Sequence, residues 1–416
     1  MHANASLPPV CRACGTQLEH VFVDLGMSPL CESFLTEDQL DRMEPFYPLR
    51  VLVCHDCFLV QLQEYVSPES IFREYAYFSS YSRAWLEHAR GYVAMIQERL
   101  ALDEASFVIE LASYDGYLLR HFVERGVPVL GIEPAANVAR AAEEHGVPTR
   151  VEFFGRELGQ QLAEEGRQAD LIVGNNVLAQ VPDLRSFVDG MKRALEPDGV
   201  ITLEFPHLMQ LIRQNQFDTI YHEHFSYFSL LTTQRLMEAH GLRVFDVEEL
   251  WSHGGSLRIY ATHAEHAGHP ATERLGELAR REREAGYLDL ETYAGFEEQV
   301  RETKRKLLAF LIDVRRKGHS VAAYGAPGKG NTLLNYCGIR TDFVDYAVDR
   351  NPYKHGRFLP GTHIPIHPPE RLEETRPDFI LILPWNLKEE IMEQLEHARE
   401  WGARFVVPIP EVRVYG

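Results

Sequence analysis

Read for the spacing of its apolar positions, the chain changes texture three times. Residues 1–75 hold short apolar runs broken by Gly, Pro and Cys, too few for a core of their own. Residues 76–100 end in YSRAWLEHARGYVAMIQERL, whose apolar side chains recur at helical spacing and predict a connecting helix. From 105 onward, brief apolar runs alternate with amphipathic stretches. FVIELA, VPVLGIE, ADLIVGN and GVITLEF suit parallel strands buried on both faces. NVARAAEEHG and LRSFVDGMKRALEPDG carry the helical period between them, the second running to a glycine stop.

Past residue 205 the regularity gives way to an aromatic segment. It resumes with a helix, TTQRLMEAHG, and two strands, LRVFDVEEL and SLRIYATH. The pattern predicts a doubly wound sheet with an antiparallel addition at its end. A charged helical stretch over 270–317 then leads into a second alternating unit. There HSVAAYGAPGKGNTLLNYCG reads strand, glycine-rich turn, helix, and DYAVD and DFILILPWN are further buried strands. The expected class is α/β, divided into a small N-terminal module (1–75), a Rossmann-like domain with helical connectors (76–317) and a second Rossmann-like domain (318–416). No solenoid period and no low-complexity tract is present.

Composition narrows the classes without naming one. The 416 residues exceed one ordinary core at roughly 150 residues per domain. A content of 45% hydrophobic and 25% charged residues is that of a globular chain. No apolar run approaches the roughly 20 residues that span a bilayer, so no membrane partner is expected. MHANASLPPVC lacks the basic and apolar regions of a signal peptide, so a cytoplasmic location is expected. The net charge of −19 argues against nucleic acid as a partner, because such a partner requires a basic footprint. Any phosphate ligand must be held by a local basic pocket.

Four of the six cysteines form two C-x-x-C pairs, Cys11/Cys14 and Cys54/Cys57, separated by 39 residues. In a cytosolic chain this points to metal, and a C-x-x-C turn sets two sulfurs on one edge of a tetrahedron. Four thiolates leave no open position, so the expected metal is a structural zinc. His55 lies beside the site and is not expected to bind it.

In doubly wound sheets, ligands sit at the carboxyl ends of the strands. The first such end here, Glu110-Leu111-Ala112-Ser113-Tyr114-Asp115-Gly116, lacks the G-x-G-x-x-G of a dinucleotide site. Carboxylates among small residues suit a cofactor without a pyrophosphate, meeting a sulfonium or an amino group. The second, Gly131-Ile132-Glu133-Pro134, places Glu133 to accept ribose hydroxyls. The third, Gly174-Asn175-Asn176, offers amides to hold donor beside acceptor. In this order the three point to S-adenosylmethionine, with Glu110, Ala112, Ser113, Asp115, Gly116, Glu133, Pro134, Asn175 and Asn176 as its contacts.

Another strand–turn–helix, Gly325-Ala326-Pro327-Gly328-Lys329-Gly330-Asn331-Thr332, can bind an anion through backbone N–H groups and the helix N-terminus. It is not a Walker A loop, since Asn331 stands where that loop has its lysine. Lys329 can meet a diphosphate, Asp349 at the next strand end can bind a ribose, and Lys354 follows in the loop. Pro384-Trp385-Asn386 offers a stacking surface.

The segment Phe217-Asp218-Thr219-Ile220-Tyr221-His222-Glu223-His224-Phe225-Ser226-Tyr227-Phe228 lacks the H-E-x-x-H spacing of a zinc site. It reads as an acid–base cluster: an imidazole that titrates near neutrality, with a carboxylate and a phenol nearby.

Together with the C-x-x-C pairs, YAYFSSYS (75–82), Asp115-Gly116-Tyr117-Leu118-Leu119, NVLAQVPD (176–183), FDTIYHEHFSYFS (217–229), HGGSLR (253–258) and GAPGKGNTLLNYCG (325–338), the chain resembles the three-domain sugar C-methyltransferases of deoxysugar pathways. The resemblance implies a class I methyltransferase domain between the zinc module and a nucleotide-sugar domain. The implied reaction is methylation at C-3 of a nucleotide-linked 4-keto-6-deoxyhexose. It also implies His224 as general base beside Tyr221 and Glu223, with a tyrosine of the YAYFSS segment, here taken as Tyr75, reaching in. The nucleotide is expected at Gly325, Ala326, Lys329, Gly330, Asn331, Asp349 and Lys354. Two positions depart from the family pattern: Gln180 replaces a histidine, and Tyr114 replaces an asparagine. Gln180 can hydrogen-bond the sugar but cannot titrate.

Three other readings stand beside this one: an O-methyltransferase, an NAD-dependent nucleotide-sugar oxidoreductase, and a non-catalytic binding protein. The sequence leaves open thymidine or guanosine as the base, amine or hydroxyl at C-3, and a monomer or a small homo-oligomer.

Overall fold

Phe22 lies in the first strand, His20–Ser28, of a four-stranded sheet completed by Tyr47–Val53, Val60–Leu62 and Ser226–Tyr227. Its ring stacks on Phe296 at 4.5 Å and 4°, and meets Tyr293 edge-on at 6.1 Å. The computed structural model describes residues 9–68, 71 and 83–416. Within these residues the chain forms two compact units that interleave along the sequence. One comprises 1–19, 53–207 and 225–288, and the other 20–52, 208–224 and 289–416. Compactness therefore divides the chain differently from its linear textures: 20–52 leaves the cysteine knuckles and 208–224 leaves the methyltransferase sheet.

The first unit is built on a seven-stranded sheet. Its order is Leu242–Leu250, Ser256–His263, Leu195–Pro206, Ala169–Asn175, Val108–Leu111, Val129–Ile132, Thr149–Arg150. The last five are mutually parallel and the first two are antiparallel additions, as the sequence predicts. Val108–Leu111 and Val129–Ile132 are buried at every position, as strands covered on both faces must be. The chain turns outward in both directions from Val108–Leu111, so the switch point lies between that strand and Ala169–Asn175.

One helix ends earlier than expected. It spans Leu184–Ala194, and the strand begins at Leu195, before the glycine stop at 199. Gly199 serves a different purpose, because a Cβ there would lie 2.8 Å from the Ala169 carbonyl oxygen.

The second unit carries a six-stranded sheet ordered Ile366–His367, Tyr346–Val348, Val321–Tyr324, Phe379–Ile382, Arg404–Val407, Arg413–Tyr415. All pairings are parallel except the last. The charged stretch before it folds as helices Glu273–Glu284, Glu291–Ala294 and Phe296–Arg316. The first of these belongs to the methyltransferase unit, where Glu282 accepts the N–H groups of Leu230 and Leu231 at 2.8 and 2.9 Å. This buried carboxylate caps the helix Leu230–Ala239. Among the described residues no helix is long and apolar enough to cross a membrane.

Candidate active site

The cysteine pairs converge. Cys11, Cys14, Cys54 and Cys57 place their sulfurs within 4.8 Å of one another, with Cys11–Cys57 and Cys14–Cys54 at 3.5 Å. A zinc ion with Zn–S bonds of about 2.3 Å requires sulfurs about 3.8 Å apart, so the donor set fits. Gly15, at φ +83°, closes the first knuckle by donating its N–H to the Cys11 carbonyl at 2.8 Å. Gln61 donates its amide N–H to Cys11 Sγ at 3.1 Å, the kind of outer contact that orients a ligand. Arg185, in the first turn of the helix Leu184–Ala194, donates to the Ala13 carbonyl at 2.8 Å and holds the knuckle in place.

Three strand ends meet at the switch point of the first unit. A cavity there is walled by Ala112, Tyr114, Glu133, Pro134, Phe154 and Gln180, among others. Glu110, Ser113 and Asp115 lie behind this wall and are buried. The chain makes the turn through left-handed backbone at Ala112 (φ +56°), Tyr114 (φ +48°) and Gly116 (φ +74°). A tyrosine at such a position is strained in a way that asparagine is not. Gly116 is required twice over, because a Cβ there would also lie 3.0 Å from Val147 Cγ2.

Glu133 ties two of the strand ends together. Its Oε2 accepts the Tyr114 N–H at 3.1 Å and its Oε1 accepts the Ala135 N–H at 2.8 Å. Burial pushes its carboxyl up to about 7, against the pull of those two bonds. Glu110 is pushed up more strongly by burial, with the Tyr117 hydroxyl favouring its charged form. Asn175 donates to that same hydroxyl at 3.4 Å, so Tyr117 links the first and third strand ends. The Ser113 hydroxyl and the Asn176 side-chain oxygen have no hydrogen-bond partner among the described residues. Unpaired acceptors and buried carboxylates fit S-adenosylmethionine, which brings hydroxyls, an amine and a sulfonium.

Sequence reading missed Tyr117, Phe153 and Phe154. The first stands directly after the Asp-Gly it did single out. The other two follow Thr149–Arg150, a strand of two residues that is too short for any periodicity to mark.

The second unit holds residues 217–224 of the acid–base segment. His224 is buried, with its Nδ1 3.0 Å from the Thr219 carbonyl oxygen and its ring 4.1 Å from that of Tyr221. A carbonyl accepts only, so Nδ1 carries the proton on this bond. Glu223 accepts from the Cys31 thiol at 3.6 Å. His222 is held elsewhere, with its Nε2 on the Pro48 carbonyl at 3.2 Å and its pKa lowered by burial. Asp218, fully buried, accepts the Trp385 indole N–H at 2.7 Å. Burial pushes its carboxyl up to about 7, while Lys329 opposes that shift. Tyr75 lies outside the described residues, and Gln180 belongs to the first unit, on the cavity wall.

At the second sheet, Gly325 (φ +83°) packs against Pro384, and Gly330 leaves room for Leu383. Lys329 donates to Asn386 Oδ1 at 2.7 Å and lies 4.8 Å from the Trp385 ring centroid. Asp349 accepts the Ala326 N–H at 2.7 Å, and Lys354 donates to the Ala326 carbonyl at 2.8 Å. Asn331 is fully buried, and neither atom of its amide has a partner among the described residues.

Family models match most of the chain. A zinc binding domain matches residues 11–72, a methyltransferase domain 85–247 and a C-methyltransferase C-terminal domain 251–410. The C-methyltransferase NovU of Streptomyces niveus is 37% identical over 404 residues, covering 97% of this chain and 96% of NovU. Among solved structures, the magnesium protoporphyrin IX methyltransferase of Synechocystis PCC 6803 with bound SAM is 12% identical. It covers 43% of this chain and 79% of its own, at a TM-score of 0.33. The CcbJ methyltransferase of Streptomyces caelestis is 13% identical, over 42% of this chain and 89% of its own, at 0.34. Full-length similarity to NovU, three consecutive domain matches, the four-cysteine cluster and the strand-end cavity agree: the chain belongs to the S-adenosylmethionine-dependent C-methyltransferases that carry an N-terminal zinc-binding domain.

Proposed function

We propose that the protein methylates C-3 of a nucleotide-linked 4-keto-6-deoxysugar through an enolate, with His224 as the general base. The observation that carries this reading is the bond between the Nδ1 of buried His224 and the Thr219 carbonyl, which orients the ring so that Nε2 is the atom assigned to take the proton. A carbon acid needs such a base, because a C–H beside a ketone is acidic only while the enolate oxygen is stabilised. Tyr221, ring to ring with His224, is placed to donate to that oxygen. Glu223 is assigned to steady His224, Tyr75 to reach in beside the base, and Gln180 to hydrogen-bond the sugar.

Bound S-adenosylmethionine supplies an electrophilic methyl group on a sulfonium. Glu133 holds its ribose hydroxyls, with Ala112 and Pro134 at its wall. Glu110, Ser113, Asp115, Gly116, Asn175 and Asn176 shape the strand ends beneath. The acceptor is assigned to the second unit, at Gly325, Ala326, Lys329, Gly330, Asn331, Asp349 and Lys354.

Incubation with labelled S-adenosylmethionine and a panel of nucleotide-linked keto sugars tests this reading. Label appearing at C-3 supports it. Label on oxygen would make the protein an O-methyltransferase and remove the enolate.

A further inference from the structure

The glycine-rich turn of the second sheet has the shape of an anion site that the chain itself partly fills. It runs from the strand Val321–Tyr324 into the ten-residue helix Gly328–Cys337, an arrangement that presents N–H groups to a phosphate. Two of those donors are already engaged inside the chain. Gly325 N–H donates to the Val348 carbonyl at 2.7 Å and Ala326 N–H to Asp349 Oδ2 at 2.7 Å. Gly328, the first residue of the helix, lies against Glu32. Pro327 has no N–H to offer.

The segment carrying Glu32 also fills the space. A Cβ at Gly328 would lie 2.9 Å from Cys31 Sγ and 3.5 Å from Glu32 Oε1, so residues 31–32 pack directly on the turn. The charges agree with the sterics. Lys354 Nζ stands 3.9 Å from both Glu32 Oε2 and Asp349 Oδ2, one ammonium shared by two carboxylates. Lys329 is committed to Asn386, Trp385 and the facing Asp218. Neither lysine is left for a diphosphate.

We infer that Glu32 is a built-in anion at the phosphate position of this sheet, a specificity-determining residue that keeps diphosphates out of the glycine-rich turn. What remains at the turn is a set of acceptors, Glu32 and Asp349, suited to ligand hydroxyls. The Glu32 side chain keeps 27% exposure, so a ligand can reach it. Applied to the acceptor proposed above, this deepens that reading: the nucleotide sugar meets the turn through ribose or hexose hydroxyls, with its diphosphate outside. The exclusion of phosphate rests on the turn alone, whatever the acceptor proves to be.

Inorganic pyrophosphate is the probe, because its binding does not depend on the identity of the sugar. Calorimetric titration of the full chain should detect little or no binding to wild type. Glu32→Ala and the isosteric Glu32→Gln should bind pyrophosphate at least about tenfold more tightly. Crystals of either variant soaked with pyrophosphate should show it on the Gly328 N–H. Thermal melting and S-adenosylmethionine titration verify the fold of each variant, and Glu32→Gln carries the test if Glu32→Ala does not fold. Equal binding by wild type and variants overturns the inference. So does pyrophosphate on the Gly328 N–H of the wild type with Glu32 turned aside. Failure to methylate any nucleotide sugar would instead remove the acceptor reading and leave this result standing.

Discussion

His224 Nδ1 lies 3.0 Å from the carbonyl oxygen of Thr219, five residues back along the chain. Because the partner is backbone, no substitution at 219 removes it, and the tautomer is set by the fold of the loop itself. His224→Asn should therefore abolish methyl transfer while both ligands still bind. The expected loss is about 10²-fold to 10⁴-fold or more, the usual contribution of a positioned base. The same variant should fail to wash deuterium into C-3 when S-adenosylhomocysteine replaces the donor, which isolates proton abstraction. Near-normal methylation would move the base to another group.

Glu133 gives the donor site a pH dependence. Its folded-state pKa of about 7 lies above the ordinary glutamate value near 4.3. The apo fold therefore prefers this group protonated. Its contribution to stability is complete below about pH 4.3 and fades as pH rises through about 7. Ribose hydroxyls need the ionised form as acceptor, so S-adenosylmethionine affinity should fall as pH drops below about 7. Glu133→Gln should bind the donor about tenfold more weakly or worse, and its affinity should lose that slope. Calorimetry across pH 5.5–8 (roughly the titration window) checks both statements.

Gly116→Ala and Gly126→Ala separate strain from crowding. Both glycines have left-handed φ, +74° and +76°, but only position 116 faces a neighbour. Gly126→Ala should cost about 1–2 kcal/mol, the left-handed penalty alone. Gly116→Ala should cost about 1–3 kcal/mol more, because Val147 must move. Denaturant titration of the two variants gives the difference, and equal losses would mean that Val147 yields freely.

Elemental analysis should find one zinc per chain. Cys54→Ser should lower the yield of folded protein sharply, since metal-binding energy in so small a module is folding energy, about 10 kcal/mol or more for comparable sites. A variant that folds normally without metal would show that the cysteines pack without binding it.

The two sheets were legible because strands buried on both faces are written as continuous apolar runs, and the cysteine pairs because their spacing is local. Contacts between distant positions leave no such trace. Cys31 reaches Glu223 across 192 positions and Asp218 reaches Trp385 across 167, and no periodicity announces either. The same holds for Glu32. Nothing in its local sequence distinguishes a glutamate that packs on a distant glycine-rich turn from a solvated one. The segment 20–52 read as part of a metal module because its cysteine neighbours dominate the local pattern. The stacking of Phe22 on Phe296, 274 positions away, leaves no trace in that pattern.

Arg185 has one further consequence. It stands in the same first helical turn as Ser186 and Phe187, which wall the donor cavity, and Asp183 caps that turn by accepting the Ser186 N–H at 3.0 Å. Through its bond to the Ala13 carbonyl, this turn is also the seat of the metal knuckle. Metal and donor thus bear on one piece of backbone, and thermodynamic reciprocity applies: whatever factor metal occupancy contributes to donor affinity, donor occupancy returns to metal retention. Where metal occupancy tightens donor binding, a protein saturated with donor holds its zinc against chelators more firmly than the same protein starved of donor.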